Sequence, residues 1–253
     1  MRIDIIGNML IREAGPADGP PILFLHGFGD SGTMFTPLFA TSLAKHHRLI
    51  AADLPGFGAT PWQSGLTSIA HYGHAAAELA HVLARGSQIG LVGHSIASPI
   101  ALAAARALGP DCNGFFSIEG NLTPDDAYFS GQAADYSDAD TFKQAMLAGI
   151  WARAQEMAIL QRYYAELVHA DPQAMWRLGC DARRLSSDDT FGREFAALAT
   201  RKLYYWSRDN TPASTIAWLE ASDLPQLEFF HASHWPSVDA PGATAAALYD
   251  FFK

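Results

Sequence analysis

Three short segments of this 253-residue chain carry residue types suited to acyl transfer. The first, Gly93-His94-Ser95-Ile96-Ala97, lies between the apolar run Ile89 to Val92 and an alanine-rich stretch from Ile96 to Leu108. A sharp strand-to-helix turn lifts a serine hydroxyl above a sheet, needs small residues two places to either side, and aims the next amide at the reacting carbon. Gly93 and Ala97 meet the size requirement, which makes Ser95 the candidate nucleophile. The second segment, His26-Gly27-Phe28-Gly29, follows the apolar run Ile22 to Leu25, where a glycine-rich bend turns a backbone amide toward the same point. The N–H groups of Phe28 and Ile96 are therefore the expected oxyanion donors, each worth about 3–4 kcal/mol of barrier in comparable sites. The third, Ser233-His234-Trp235, follows Leu227 to Phe230 and supplies an imidazole. A serine is a weak nucleophile without an adjacent base. Ser95 and His234 supply what each other lacks, with His231 as a nearby competitor, and Phe28 and Trp235 are the expected substrate-binding walls.

These residues need elements to hold them at one place. Short apolar runs bounded by breakers read as buried strands at Ile22–Leu25, Arg48–Ala52, Ile89–Val92 and Phe115–Ile118. Helical patterns lie between them at Met34–His46, after Thr67 or Ser68 as cap, and at Ile96–Leu108, where Pro99 is tolerated in the first turn. Such alternation predicts a parallel sheet covered on both faces. It breaks over residues 121–201, where Met146, Ile150, Met157, Leu160, Tyr164 and Leu167 repeat at helical spacing, and resumes with the strands Leu203–Trp206 and Leu227–Phe230 and a closing helix at Ala243–Phe252. The interruption is too long for an ordinary loop, which predicts a helical cap over the strand ends. Trp151, Tyr163, Tyr164 and Trp176 are expected to pack this cap on the core, some of them walling a pocket.

HGFGDSG at 26–32, DLPGFGAT at 53–60, GHSIA at 93–97 and SHWPSVDAP at 233–241, in this order, resemble the motifs of the α/β-hydrolase fold superfamily across nearly the whole chain. The resemblance implies an α/β fold, with a mostly parallel eight-stranded sheet flanked by helices, a core of residues 1–120 and 202–253, and a helical cap of residues 121–201. It implies a serine hydrolase with Ser95 as nucleophile, His234 as base and Phe28 and Ile96 as oxyanion donors, acting on a small or medium carboxylic ester or related acyl substrate. Hydrolysis of C–C bonds, thioesters or lactones uses the same machinery, and some relatives are ligand receptors. Ser95 separates the chain from members with an aspartate at the elbow, such as haloalkane dehalogenases and epoxide hydrolases. The acid departs from the usual pattern. Most relatives place it at the end of G-x-x-D after the seventh strand, but here that stretch is Ser207-Arg208-Asp209-Asn210. A minority place it after the sixth strand, where Glu119 precedes Gly120. Glu119 is the preferred acid and Asp209 the alternative, since either preserves the order Ser, acid, His.

Other readings weigh less. Gly27-Phe28-Gly29-Asp30-Ser31-Gly32 matches the G-x-G-x-x-G dinucleotide fingerprint, with Asp53 at the end of the next strand, but this reading leaves GHSIA and SHWP unexplained. His71-x-x-His74 and His231-x-x-His234 have ligand-like spacing without an evident third ligand, so neither metal nor organic cofactor is expected. The net charge is −9, from 17 Lys and Arg against 26 Asp and Glu, which disfavours nucleic acid as a partner. No apolar run approaches the ~18 residues of a membrane span. Cys112 and Cys180 form no CxxC pair, and with Arg2, Asp4 and Asn8 interrupting any signal-like stretch, a cytoplasmic protein is expected. Asp125, Asp126, Asp135, Asp138 and Asp140 crowd the start of the cap near Lys143, which reads as a solvated face that repels anionic substrates.

Overall fold

A computed structural model describes all 253 residues. The strands β3 (Pro21–Leu25), β4 (Arg48–Ala52), β5 (Ile89–His94) and β6 (Cys112–Ile118) are buried almost throughout, as strands covered on both faces must be. With β1 (Arg2–Ile6), β2 (Met9–Ala14), β7 (Lys202–Trp206) and β8 (Gln226–Glu228) they form one eight-stranded sheet in the order β1-β2-β4-β3-β5-β6-β7-β8. From β4 to β8 every pairing is parallel, and only the β1–β2 and β2–β4 pairings are antiparallel.

The period-two rule assigns the faces. Leu23, Leu25, Ile50, Leu91 and Phe115 join one apolar cluster, while Ile22, Phe24, Leu49, Val92 and Phe116 join another on the opposite face. Helices α1 (Leu43–His46), α2 (Ile69–Ala84), α3 (Ala97–Leu108), α8 (Ala213–Glu220), α9 (Pro236–Asp239) and α10 (Pro241–Phe252) connect or flank the strands. Between β6 and β7 the chain is helical only: two 3₁₀ turns, Pro124–Ala127 and Ser130–Asp135, then α4 (Ala139–Ala154), α5 (Ala158–His169), α6 (Pro172–Leu185) and α7 (Thr190–Ala196). Phe142, Tyr163 and Met175 of this insertion belong to the same apolar cluster as Leu23 and Leu25.

Two expectations shift, and one alternative loses its key residue. The helix expected at 34–46 is a 3₁₀ stretch, Gly32–Ala40, followed by the single turn α1, because Pro37 lies inside it and cannot donate. The strand expected at 227–230 is the shorter β8, and Phe230 is exposed. Asp53, which the discounted dinucleotide reading would set against a ribose, is fully buried and occupied: Arg12 grips it from β2, and the N–H groups of Gly32 and Ala59 each donate to it at 2.8 Å. The carboxylate organises the loop after β3 rather than facing a ligand.

Asp53→Ala leaves the Arg12 guanidinium, the buried Gly32 amide and the Ala59 amide without their acceptor, so it is expected to destabilise the fold by about 3 kcal/mol. A fall in the urea midpoint at unchanged slope is the measurement.

Candidate active site

Parallel strands end together, and the candidate residues Ser95, Glu119 and His234 lie just beyond β5, β6 and β8. Ser95 follows β5 directly and takes a left-handed backbone, φ 54°. Its N–H donates to the Ile118 carbonyl at 2.9 Å, and its own carbonyl accepts from Ser98 N–H at 2.9 Å, which starts α3. Gly93 is required by close approach: a β-carbon there would fall 2.7 Å from the Ala97 carbonyl oxygen. Glu119 repeats the device on the next strand, with φ 45° and its N–H bonded to the Tyr205 carbonyl at 2.9 Å. A positive φ is costly for a residue with a side chain, so two such residues at adjacent strand ends mark a place where the fold maintains strain.

Glu119 is 8% exposed, and both carboxylate oxygens are used. Oε2 lies 2.5 Å from His234 Nδ1, and Oε1 accepts from Ser207 N–H at 3.1 Å and Asn210 Nδ2 at 3.0 Å. Asn210, at the position where most relatives carry the acid, is thus a donor to Glu119, and it also reaches the Ala232 carbonyl in the loop bearing His234, at 3.3 Å. Asp209 is exposed, and its side chain makes no hydrogen bond within the protein.

Ser95, His234, Glu119, Phe28 and Trp235 line one cavity of about 310 Å³. No hydrogen bond joins Ser95 to His234. Neither Phe28 N–H nor Ile96 N–H has an acceptor in the protein. The orientation of the first is imposed by His26. Its Nε2 accepts from Leu54 N–H at 3.0 Å, so the ring proton sits on Nδ1 and donates to the Gly27 carbonyl at 2.9 Å. In a trans peptide the Phe28 N–H points opposite to that carbonyl. His94, the residue before Ser95, does similar work on the other side: its Nε2–H donates to the His234 carbonyl at 2.6 Å. Burial depresses the pKa of both rings. For His94, which falls well below the ordinary value, the nearby His234 adds to the effect.

The sequence pattern missed His26, His94 and Asn210 as organisers of the site. The first two stand inside motifs used for other reasons, and only the pairing distances reveal their part. Of the five aspartates at the start of the insertion, only Asp126 faces the cavity. It is half-buried, accepting from Leu122 N–H, Thr123 N–H and Thr215 Oγ1, and its desolvation raises its pKa against those bonds. Lys143 donates to the carbonyls of Val168 and Ala170. The other four acids of that cluster do not line the cavity. His71 and His74 lie on the exposed face of α2. Tyr163 walls the cavity as expected, Trp176 bonds the Ala133 and Tyr136 carbonyls, and Trp151 rests on Tyr164 while 55% exposed.

A mostly parallel eight-stranded sheet with a serine held at positive φ in a tight strand-to-helix turn after β5 is the arrangement of the α/β-hydrolase class. Residues 22–247 match the alpha/beta hydrolase family, and the chain belongs to it. Over 49 residues it is 53% identical to an uncharacterised hydrolase of Saccharomyces cerevisiae, a stretch covering 19% of this chain and 17% of that relative. Among solved structures, a thermophilic esterase from Thermogutta terrifontis superposes with a TM-score of 0.75 at 18% identity, covering 96% of this chain and 92% of the esterase. An N-acyl homoserine lactonase superposes with a TM-score of 0.76 at 18% identity, over 99% and 96% of the two chains. At this identity the likeness is one of fold. No helix is long and apolar enough to cross a membrane.

The buried neutral histidines have a measurable consequence. A histidine whose folded pKa is depressed contributes stability above its unfolded pKa of about 6.5, and this is lost as pH falls below that value. Each of His26 and His94 should cost about 1.4 kcal/mol per pH unit in that window. Urea midpoints are expected to be level above about pH 7.5 and to fall below about pH 6.5; His94→Gln, which keeps a donor near the Nε2 position, should reduce the slope by about one proton.

Proposed function

We propose that the protein is a serine hydrolase that cleaves a small or medium carboxylic ester or related acyl substrate through an acyl-enzyme. The observation that carries this reading is the 2.5 Å contact between Glu119 Oε2 and His234 Nδ1 on the wall of the cavity that Ser95 also lines. That contact fixes the Nδ1–H tautomer and leaves Nε2 free to accept a proton.

In the proposed reaction Ser95 Oγ attacks the carbonyl carbon as His234 Nε2 takes its proton. The transfer requires the two atoms to come within hydrogen-bond reach, a contact that tightens when substrate binds in sites of this kind. The carbonyl oxygen, now negative, accepts from the N–H groups of Phe28 and Ile96, both without another acceptor. Collapse breaks the ester bond, and the leaving alkoxide takes the proton from His234. Water then repeats the sequence on the acyl-Ser95 and releases the acid.

Glu119 holds the imidazole and balances its charge; Asp209, exposed and unbonded, is not assigned a part. Residues 121–201 act as a cap, with Phe129, Leu160 and Tyr163 as apolar walls facing Phe28 and Trp235. A cavity of about 310 Å³ suits a compact acyl group. The two unpaired cysteines, Cys112 and Cys180, favour a reducing, cytoplasmic setting. Thioesters and lactones of similar size fit the same steps.

Wild type is expected to be labelled by a fluorophosphonate and to turn over short p-nitrophenyl esters, with both activities lost in Ser95→Ala. Glu119→Gln should lower kcat by about 10³- to 10⁴-fold, whereas Asp209→Asn should change it by less than about threefold. A folded wild type that does neither sinks the hydrolase reading; loss in the Asp209 variant alone overturns the choice of acid.

A further inference from the structure

We propose that Arg162 and Tyr163 of α5 are positioning residues for the reaction, acting through Asp30 and Phe28 on the oxyanion loop and through Trp235 on the loop that carries His234. The inference rests on the serine-hydrolase reading and extends it: on this view the insertion not only walls the cavity but, once docked, completes the geometry of the site.

Asp30 is the hub. It lies two residues beyond Phe28 and is 1% exposed. Its Oδ1 accepts from Ser31 N–H at 2.8 Å and Arg162 Nη2 at 2.9 Å, and its Oδ2 from Arg162 Nη1 at 3.0 Å and Trp235 Nε1 at 2.9 Å. The donors come from three separate parts of the chain: the loop after β3, the insertion, and the loop carrying His234. A buried carboxylate needs a cation, and the guanidinium fork of Arg162 is the one ion pair Asp30 makes. Asp30 also lines the cavity, where an unpaired carboxylate would oppose a developing oxyanion. Arg162 cancels that charge from the far side.

Tyr163 supplies the second tie. It is buried, burial holds its phenol well above the ordinary pKa, and the hydroxyl donates to the Phe28 carbonyl at 2.7 Å. His26 already fixes the Gly27–Phe28 peptide, so Tyr163 fixes the next one, and together they hold both peptide planes around Phe28. The Tyr163 ring lies 5.1 Å from that of Trp235, which meets His234 edge-on at 5.5 Å. Helix and loop fit without slack: Gly29 has φ 68°, and a β-carbon there would fall 2.4 Å from Leu167 Cδ1 and 2.9 Å from the Tyr163 hydroxyl. A third contact runs through Thr33, which accepts from Arg162 Nη2 at 3.2 Å and donates to Glu166 at 2.8 Å.

The test compares wild type with Tyr163→Phe, Arg162→Lys and Arg162→Met, using p-nitrophenyl acetate kinetics and hydrogen exchange of the peptide covering residues 26–32. Tyr163→Phe removes one oxygen and keeps the packing, so it should fold. The expected result is a fall in kcat of about tenfold for Tyr163→Phe and about a hundredfold for Arg162→Met, with KM changed by less than about threefold. Arg162→Lys, which keeps the charge but not the fork, should recover part of the loss. Exchange in residues 26–32 should rise in Tyr163→Phe and Arg162→Met while that of β5 stays unchanged. Variants that raise KM at constant kcat would make α5 a pocket wall only and overturn the proposal. So would unchanged exchange, whatever the kinetics. If wild type fails to turn over any ester while exchange rises in the variants, the hydrolase reading falls and the coupling of α5 to the loop stands.

Discussion

A carboxylate buried at the end of a strand must be bonded on both oxygens or lose its charge, and the loops after β6, β7 and β8 are arranged around that requirement at Glu119. One oxygen meets His234 and the other takes the Ser207 amide and the Asn210 side chain. Each contact fixes a different segment: the turn after β7 is held by its own amide, and the loop after β8 by its imidazole and, through Asn210, by the Ala232 carbonyl. Glu119 can reach all three because its left-handed backbone turns the side chain out of the sheet between β5 and β7. The strain at Glu119 and Ser95 is sustained by the ladder beneath them, where the amide of each is bonded to the carbonyl of the neighbouring strand.

Neutral histidines do the remaining alignment. His26 sets the peptide whose N–H faces the cavity, and His94 holds the main chain of His234 from below. Neither ring carries charge, which suits its place: a buried imidazolium beside His234 would oppose the positive charge that His234 would acquire as the proposed base. Two of the acidic groups on the cavity wall are likewise compensated, Asp30 by Arg162 and Asp126 by amides and a hydroxyl, whereas Asp209 faces it from an exposed turn without a partner. The surface charge of the chain thus says little about the field inside the site.

Much was legible before any coordinates. The apolar runs around Leu23, Ile50, Leu91 and Phe116 announced buried parallel strands because such strands have two covered faces and little need for alternation. Gly93 and Ala97 announced the tight turn at Ser95 because nothing larger than a small side chain fits there, and the absence of strand patterns from 121 to 201 announced a helical insertion. Boundaries were less secure: Pro37 lies in a segment with helical patterning, and its missing donor turned that segment into 3₁₀ geometry.

What the sequence by itself determined was the set of candidate groups and the order in which they occur along the chain: a serine at a strand-to-helix turn, a glycine-rich bend before it, and an imidazole near the carboxyl end. These depend on local requirements, such as small neighbours, turn residues and apolar runs, which are written in adjacent letters. Only the tertiary structure decided which carboxylate faces His234, that Asn210 serves it, that His26 and His94 orient the amide and the base, and that Asp30 joins α5 to both loops. Apart from the bond of His26 to its neighbour Gly27, each of those rests on a contact between residues 28 to 205 positions apart, set by strand order and helix docking. Spacing along the chain carries no direct record of such distances.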